Sequence, residues 1–115
     1  MWPIVLYTIY KLSNDGTKLV KVKDVVELVH DKLWFRHRIA LFISDEEVID
    51  IIKNLAKSGI IEILCKDNDY INCTIKVKDR ERCKSIATKT ENYFSTSTTL
   101  LGLAFDILKE ELLRR

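Results

Sequence analysis

The sequence predicts one α+β domain, mainly α, with a single β-hairpin in its middle and two helices after it. Three observations lead there. Apolar residues make up 47% of the 115 and charged residues 31%, enough apolar surface to offset chain entropy and enough charge to avoid collapse into aggregates. Apolar positions recur at spacings of three and four over most of the chain but alternate strictly from Ile71 to Val77, the change of period that separates helix from strand. Three Gly and one Pro leave little material for long irregular stretches. A second core could not be built from what remains, so residues 1–94 are read as the domain and 95–115 as its C-terminal helix, a candidate dimerisation element.

Pro3 suits a first helical turn, and Ile4, Val5, Thr8, Ile9 and Leu12 follow at helical spacing until Ser13-Asn14-Asp15-Gly16 stops the run. Thr17 to Val22 alternates apolar residues with lysines and predicts a short edge strand. From Lys23, the residues Val25, Val26, Leu28, Val29 and Leu33 mark one face of a second helix. Trp34 to Ile43 fits no single period. Ser44 with Glu47 spells a capping box that starts a third helix, with an inner stripe of Val48, Ile51, Ile52, Leu55 and Ala56 and with Gly59 placed to close it. Ile60 to Cys65 and Ile71 to Val77, separated by Lys66-Asp67-Asn68-Asp69, predict the hairpin. Cys83, Ile86, Ala87, Thr90 and Phe94 mark a fourth helix, and a last one starts at Leu100.

Several classes of function find no support. The 19 basic and 17 acidic residues leave a net charge of +2, too near balance for the strong positive field of a dedicated nucleic-acid binder. The three cysteines, Cys65, Cys73 and Cys83, fit no zinc spacing, and the expectation is buried free thiols in a reducing compartment. His30 and His37 lie two helical turns apart, roughly 10 Å, too far to share an ion, so no metal is expected. Gly16, Gly59 and Gly102 stand alone, which excludes a phosphate-binding loop. No GxSxG or similar nucleophile motif occurs. The expectation is a non-enzyme without a cofactor. No apolar run reaches a membrane span's length and the opening residues carry no basic leader, so a cytoplasmic protein without membrane insertion is expected. The sequon Asn72-Cys73-Thr74 is read as strand sequence.

Helix, short strand, helix, capped helix and hairpin form the order of a winged helix-turn-helix domain. Ser44-Asp45-Glu46-Glu47 and Asn54-Leu55-Ala56-Lys57-Ser58-Gly59-Ile60-Ile61-Glu62 carry the likeness. Over residues 3–78 the chain resembles archaeal and bacterial winged-helix regulators, in which a leucine, a small residue, a basic or polar pair, glycine and two apolar residues recur. The Ile- and Lys-rich, Gly- and Pro-poor composition suits an archaeal source, though other organisms and viruses share it. The resemblance implies double-stranded DNA as partner, with Asp50, Lys53, Asn54 and Lys57 near the major groove and the hairpin near flanking phosphates. The chain departs from the pattern twice: Asp45, Glu46, Glu47 and Asp50 make the leading half of the third helix acidic, and the wing tip, residues 66–69, is net acidic.

The candidate DNA-binding residues are therefore Arg36, Arg38, Lys53, Asn54, Lys57, Lys76, Lys78 and Arg80. For the basic run 76–84, a solvated face interleaved with Asp79 and Glu81 competes with phosphate contact. For Arg36-His37-Arg38, surface charge beside the core aromatics Trp34 and Phe35 competes with nucleic-acid contact. The last helix carries more apolar surface than one small domain obviously needs, which points to a homodimer through Leu101, Ala104, Phe105, Leu108 and Leu112, with core completion as the competing reading. The alternative function, from another class, is a winged-helix protein-interaction module in transcription, replication or membrane-remodelling machinery, its acidic third helix facing a basic partner.

Overall fold

The first helix, α1 (Trp2–Leu12), buries every residue from Ile4 to Tyr10. A helix apolar all round belongs at the centre of a domain rather than on its surface, and here the later helices pack around it. Its end is built by the predicted turn residues: the Ser13 hydroxyl donates to Tyr10 O at 2.7 Å and accepts from Gly16 N at 2.9 Å. Asn14, Asp15 and Gly16 then take left-handed backbone in succession, a conformation that Asn, Asp and Gly adopt at least cost. The computed structural model describes residues 1–115, and the chain is mainly helical with a small antiparallel sheet, the predicted fold class.

The edge strand is shorter than its sequence suggested. Only β1 (Val20–Lys21) pairs, because Thr17 N and Lys18 N are still donating to Ser13 O in the turn. The second helix starts one residue early, at Val22, and runs as α2 (Val22–Val26), a π-helical turn (Glu27–Asp31) and α3 (Lys32–His37). The wider π turn shifts the inward face, so Leu28, Val29 and Leu33 are buried while Trp34 and Phe35 point outward. Trp34 and Phe35 are thus surface aromatics, not core ones. This register shift also explains why Trp34 to Ile43 matched no period: it joins the end of a helix to a loop. Arg38 closes α3 in the left-handed region, with Ile39 N bonded back to Leu33 O at 3.0 Å, and Phe42 re-enters the core.

The capping box is present at α4 (Asp45–Lys57): Ser44 Oγ accepts from Glu47 N, and Glu47 Oε2 accepts from Ile43 N at 2.7 Å rather than from the cap residue itself. Val48, Ile52 and Leu55 are buried, Ile51 and Ala56 half-buried, and Gly59 takes positive φ as expected. The hairpin follows as β2 (Ile61–Leu64) and β3 (Thr74–Val77), with Ile61 opposite Val77 and Leu64 opposite Thr74. β3 is shorter than the alternating run, since Tyr70–Asn72 forms a 3-10 turn that takes Ile71 and the sequon asparagine out of the strand. The sheet order is β1-β3-β2, all antiparallel.

The cysteine expectation needs correcting. Cys65 and Cys73 are disulfide-bonded, leaving only Cys83 as a buried free thiol. The Leu64–Thr74 register sets the two cysteines across the hairpin with Cα atoms 4.5 Å apart, within bridging range. Eight positions of sequence give no hint of that proximity. The bond closes a short loop, so Cys65→Ser is expected to cost about 2–3 kcal/mol, measured by urea unfolding. Equal stability of the wild type with and without dithiothreitol would refute a stabilising role.

After the hairpin, α5 (Arg80–Ser95) is capped by Asp79, whose carboxylate accepts from Arg82 N at 3.1 Å. Cys83, Ala87, Thr90 and Phe94 face inward at the predicted spacing. The last helix, α6 (Leu100–Leu113), corrects the dimer expectation. Ala104, Phe105 and Leu108 are fully buried within the chain and Leu112 is half-buried against the core, so these four complete the domain rather than face a second copy. Close approach of α6 to the preceding turn needs Gly102, where a methyl group would collide with Ser97 O. Leu100, Leu101, Leu103 and Leu113 are the large apolar residues of α6 that remain exposed.

Candidate functional site

The hairpin and α4 enclose a groove of about 840 Å³ whose walls include Lys53, Lys57, Tyr70 and Lys78. Lys53 and Lys57 lie one helical turn apart on the outer side of α4, and Lys53 Nζ sits 4.1 Å above the Tyr70 ring, within range for a cation–π contact. The 3-10 turn that carries Tyr70 is held by Asp69, which accepts from Ile71 N and from the Asn72 side chain. Tyr70 was not among the expected site residues. An exposed aromatic inside a polar loop was its only signal, and which helix it would touch depends on the hairpin's fold.

The other expected site residues disperse. Asn54 faces the opposite flank of α4, toward Trp2 and Arg82. Lys76 is exposed, directly opposite Glu62 on β2. Arg80 Nε donates to Asp15 O at 2.8 Å, clamping the turn after α1. Arg38 lies 5.8 Å from the Trp34 ring. Arg36, itself half exposed, has a buried partner: its guanidinium is 3.0 Å from Glu111, a carboxylate only 2% exposed, which His37 and Arg114 also approach at 3.4 and 3.7 Å. Burial pushes the Glu111 carboxyl upward, but the His37 hydrogen bond and the Arg36 and Arg114 charges outweigh it and hold it below the ordinary carboxylate value. The eight expected residues therefore do not form one continuous stripe, and the groove brings together Lys53, Lys57 and Lys78 alone. Asp45, Glu46, Glu47 and Asp50 lie on the leading half of α4, so its field changes sign along its length.

A second constellation lies where the π turn meets the start of α4. One ligand atom each from His30, Asp31 and Asp45 falls within 4.8 Å of the others, with His30 Nε2 3.7 Å from Asp45 Oδ1. Burial, then the hydrogen bond and charge of Asp45, raise the Asp31 carboxyl to about 6, against a smaller opposing effect of His30. Fourteen positions separate Asp31 from Asp45, and the helix–loop–helix joint alone brings them together. The buried Cys83 thiol is pushed up to about 11 by burial and by Asp79, which keeps it protonated and unreactive at neutral pH. No helix is long and apolar enough to cross a membrane. Comparison with family models, curated proteins and solved structures finds no match to this chain.

Proposed function

We propose that this protein is a winged helix that binds double-stranded DNA, as a transcriptional regulator does, and that it is not an enzyme. The observation that carries the reading is the groove in which Lys53 and Lys57 of α4 and Lys78 beyond β3 line one wall system beside the hairpin, in a domain whose sheet runs β1-β3-β2. In a winged helix the corresponding helix enters the major groove and the hairpin touches flanking phosphates. Here the C-terminal half of α4 would make the approach, its acidic half tilted away from the phosphates. Three lysines supply a modest electrostatic contribution, so binding should be weak and strongly salt-dependent.

Fluorescence anisotropy on genomic duplex DNA tests this directly. The triple variant Lys53→Glu, Lys57→Glu, Lys78→Glu is expected to lower affinity at low salt by about 100-fold or more, and to reduce the slope of log K against log salt by about 3. Absence of wild-type binding at low salt, or a triple variant that binds like the wild type, would sink the reading.

The acidic first half of α4 favours a second reading, a protein-interaction module whose partner presents a basic surface. Reversing the three lysines would leave that capture intact, whereas Glu46→Lys with Asp50→Lys would abolish it. For a homodimer, the apolar residues of α6 left to carry contact are the exposed Leu100, Leu101, Leu103 and Leu113. A sedimentation profile that stays monomeric at high concentration would remove that part.

A further inference from the structure

We infer that His30, Asp31 and Asp45 form a binding site for a divalent transition-metal ion of the Zn²⁺ or Co²⁺ class. The three side chains come from two elements, the π turn and the first residue of α4, and their ligand atoms lie within 4.8 Å of one another. An ion about 2.0–2.2 Å from each donor spans donor atoms about 3–4 Å apart. The 3.7 Å between His30 Nε2 and Asp45 Oδ1 already meets that span, and small side-chain rotations bring in the third donor.

Independent of this spacing, the site lacks a partner for its charge. Asp45 Oδ1, the atom that faces His30 Nε2, is a buried side-chain oxygen that finds no hydrogen bond, a state that folded proteins rarely tolerate without a bound water or ion; the other such atom, His30 Nδ1, is the ring nitrogen that does not face Asp45. No lysine or arginine forms an ion pair with Asp31 or Asp45, although Lys23, Lys32 and Arg36 line a cleft with them, and His30 is the basic side chain that pairs with Asp45. Two carboxylates meeting without a cation repel each other, and an ion between them removes that repulsion. The positive end of the α4 dipole, which would oppose an ion there, is already countered by Asp45, Glu46 and Glu47 in the first turn.

The donor set selects the ion. One imidazole favours zinc, cobalt or nickel over calcium and magnesium, which take oxygen ligands. Three protein donors leave coordination positions for water, and the cluster opens to solvent through a cleft flanked by Trp34, Phe35 and Ile43. The exposed side of the ion is thus accessible to an exogenous ligand beside exposed aromatic rings.

The test uses the full chain freed of metal by chelation. Isothermal titration with Zn²⁺ is expected to give one site per chain and an upward shift in Tm, and Co²⁺ is expected to give a visible absorption band that Zn²⁺ displaces. His30→Gln and Asp45→Asn should each abolish the Tm shift and the cobalt band. Metal-free Asp31→Asn should melt no lower than metal-free wild type, since the substitution removes like-charge repulsion and leaves Asp45 at the start of α4; this separates a lost ligand from a damaged fold. Asp31→Asn should weaken binding at least tenfold, and His37→Gln should leave it unchanged. No binding by the wild type, binding that survives both His30→Gln and Asp45→Asn, or binding lost in His37→Gln would each overturn the inference.

Discussion

Phe105→Ala is expected to lower the unfolding free energy by about 3–5 kcal/mol, a large part of what a domain of this size holds in reserve. Phe105 is fully buried on α6 and stacks on Phe94 of α5 with ring centres 5.2 Å apart, while the tilted ring of Tyr7 on α1 lies at 4.8 Å. Removing the ring empties a space bounded by three helices, and close-packed interiors collapse only partly into such a space. The loss should be independent of protein concentration, because the contacts are internal to one chain. Urea unfolding at two concentrations tenfold apart checks both statements. A midpoint that moves with concentration would return Phe105 to an intermolecular interface and contradict its place in the core.

Removing the cations around Glu111 is expected to have a comparable effect with the opposite pH signature. In the double variant Arg36→Ala, His37→Ala, the buried Glu111 carboxylate keeps only the exposed Arg114 at 3.7 Å; a fully unpaired buried charge costs about 3–5 kcal/mol, which is the upper bound for this loss. In the wild type the Glu111 carboxyl lies below the ordinary carboxylate value. It therefore contributes stability that is present above the unfolded value and is lost as pH falls through the folded one. In the double variant the Arg114 charge is the one remaining opponent of burial, and the carboxyl is expected to rise above its unfolded value, so protonation relieves the cost and stability rises as pH falls toward that value. The gap between the two proteins should be widest near neutrality and close in acid. Denaturant titration at neutral pH and near pH 3 measures it, and Glu111→Gln in the double-variant background should recover stability at neutral pH. An equal gap at both pH values would show that Arg36 and His37 act through packing alone.

These two experiments concern residues that the sequence suggested for other work, Phe105 for dimerisation and Arg36 for DNA. In both, the sequence left the partner of the residue open, for one physical reason. A helix pattern identifies an apolar face but not what covers it, and α6 is covered by α1 and α5 of its own chain. Likewise a basic residue beside aromatics reads the same whether its partner is a phosphate or a buried carboxylate 75 positions away.

At caps, at helix stops and along one regular helix, sequence and structure agree. The Ser44–Glu47 cap, the Ser13–Gly16 stop, the positive φ at Gly59 and the inward stripe of α5 each follow from hydrogen bonds and periodicities within a few residues. The α+β class and the hairpin follow from the same local rules. Where a π turn breaks the 3.6-residue period, local reading failed, because the pattern from Trp34 onward depends on a widening that only packing selects. The Cys65–Cys73 bond, the Lys53–Tyr70 contact and the His30–Asp31–Asp45 cluster were decided by tertiary structure alone. The disulfide depends on the hairpin's register, and the other two join residues from elements brought together by packing around the core, a constraint spread over many residues and written in no short stretch of the chain.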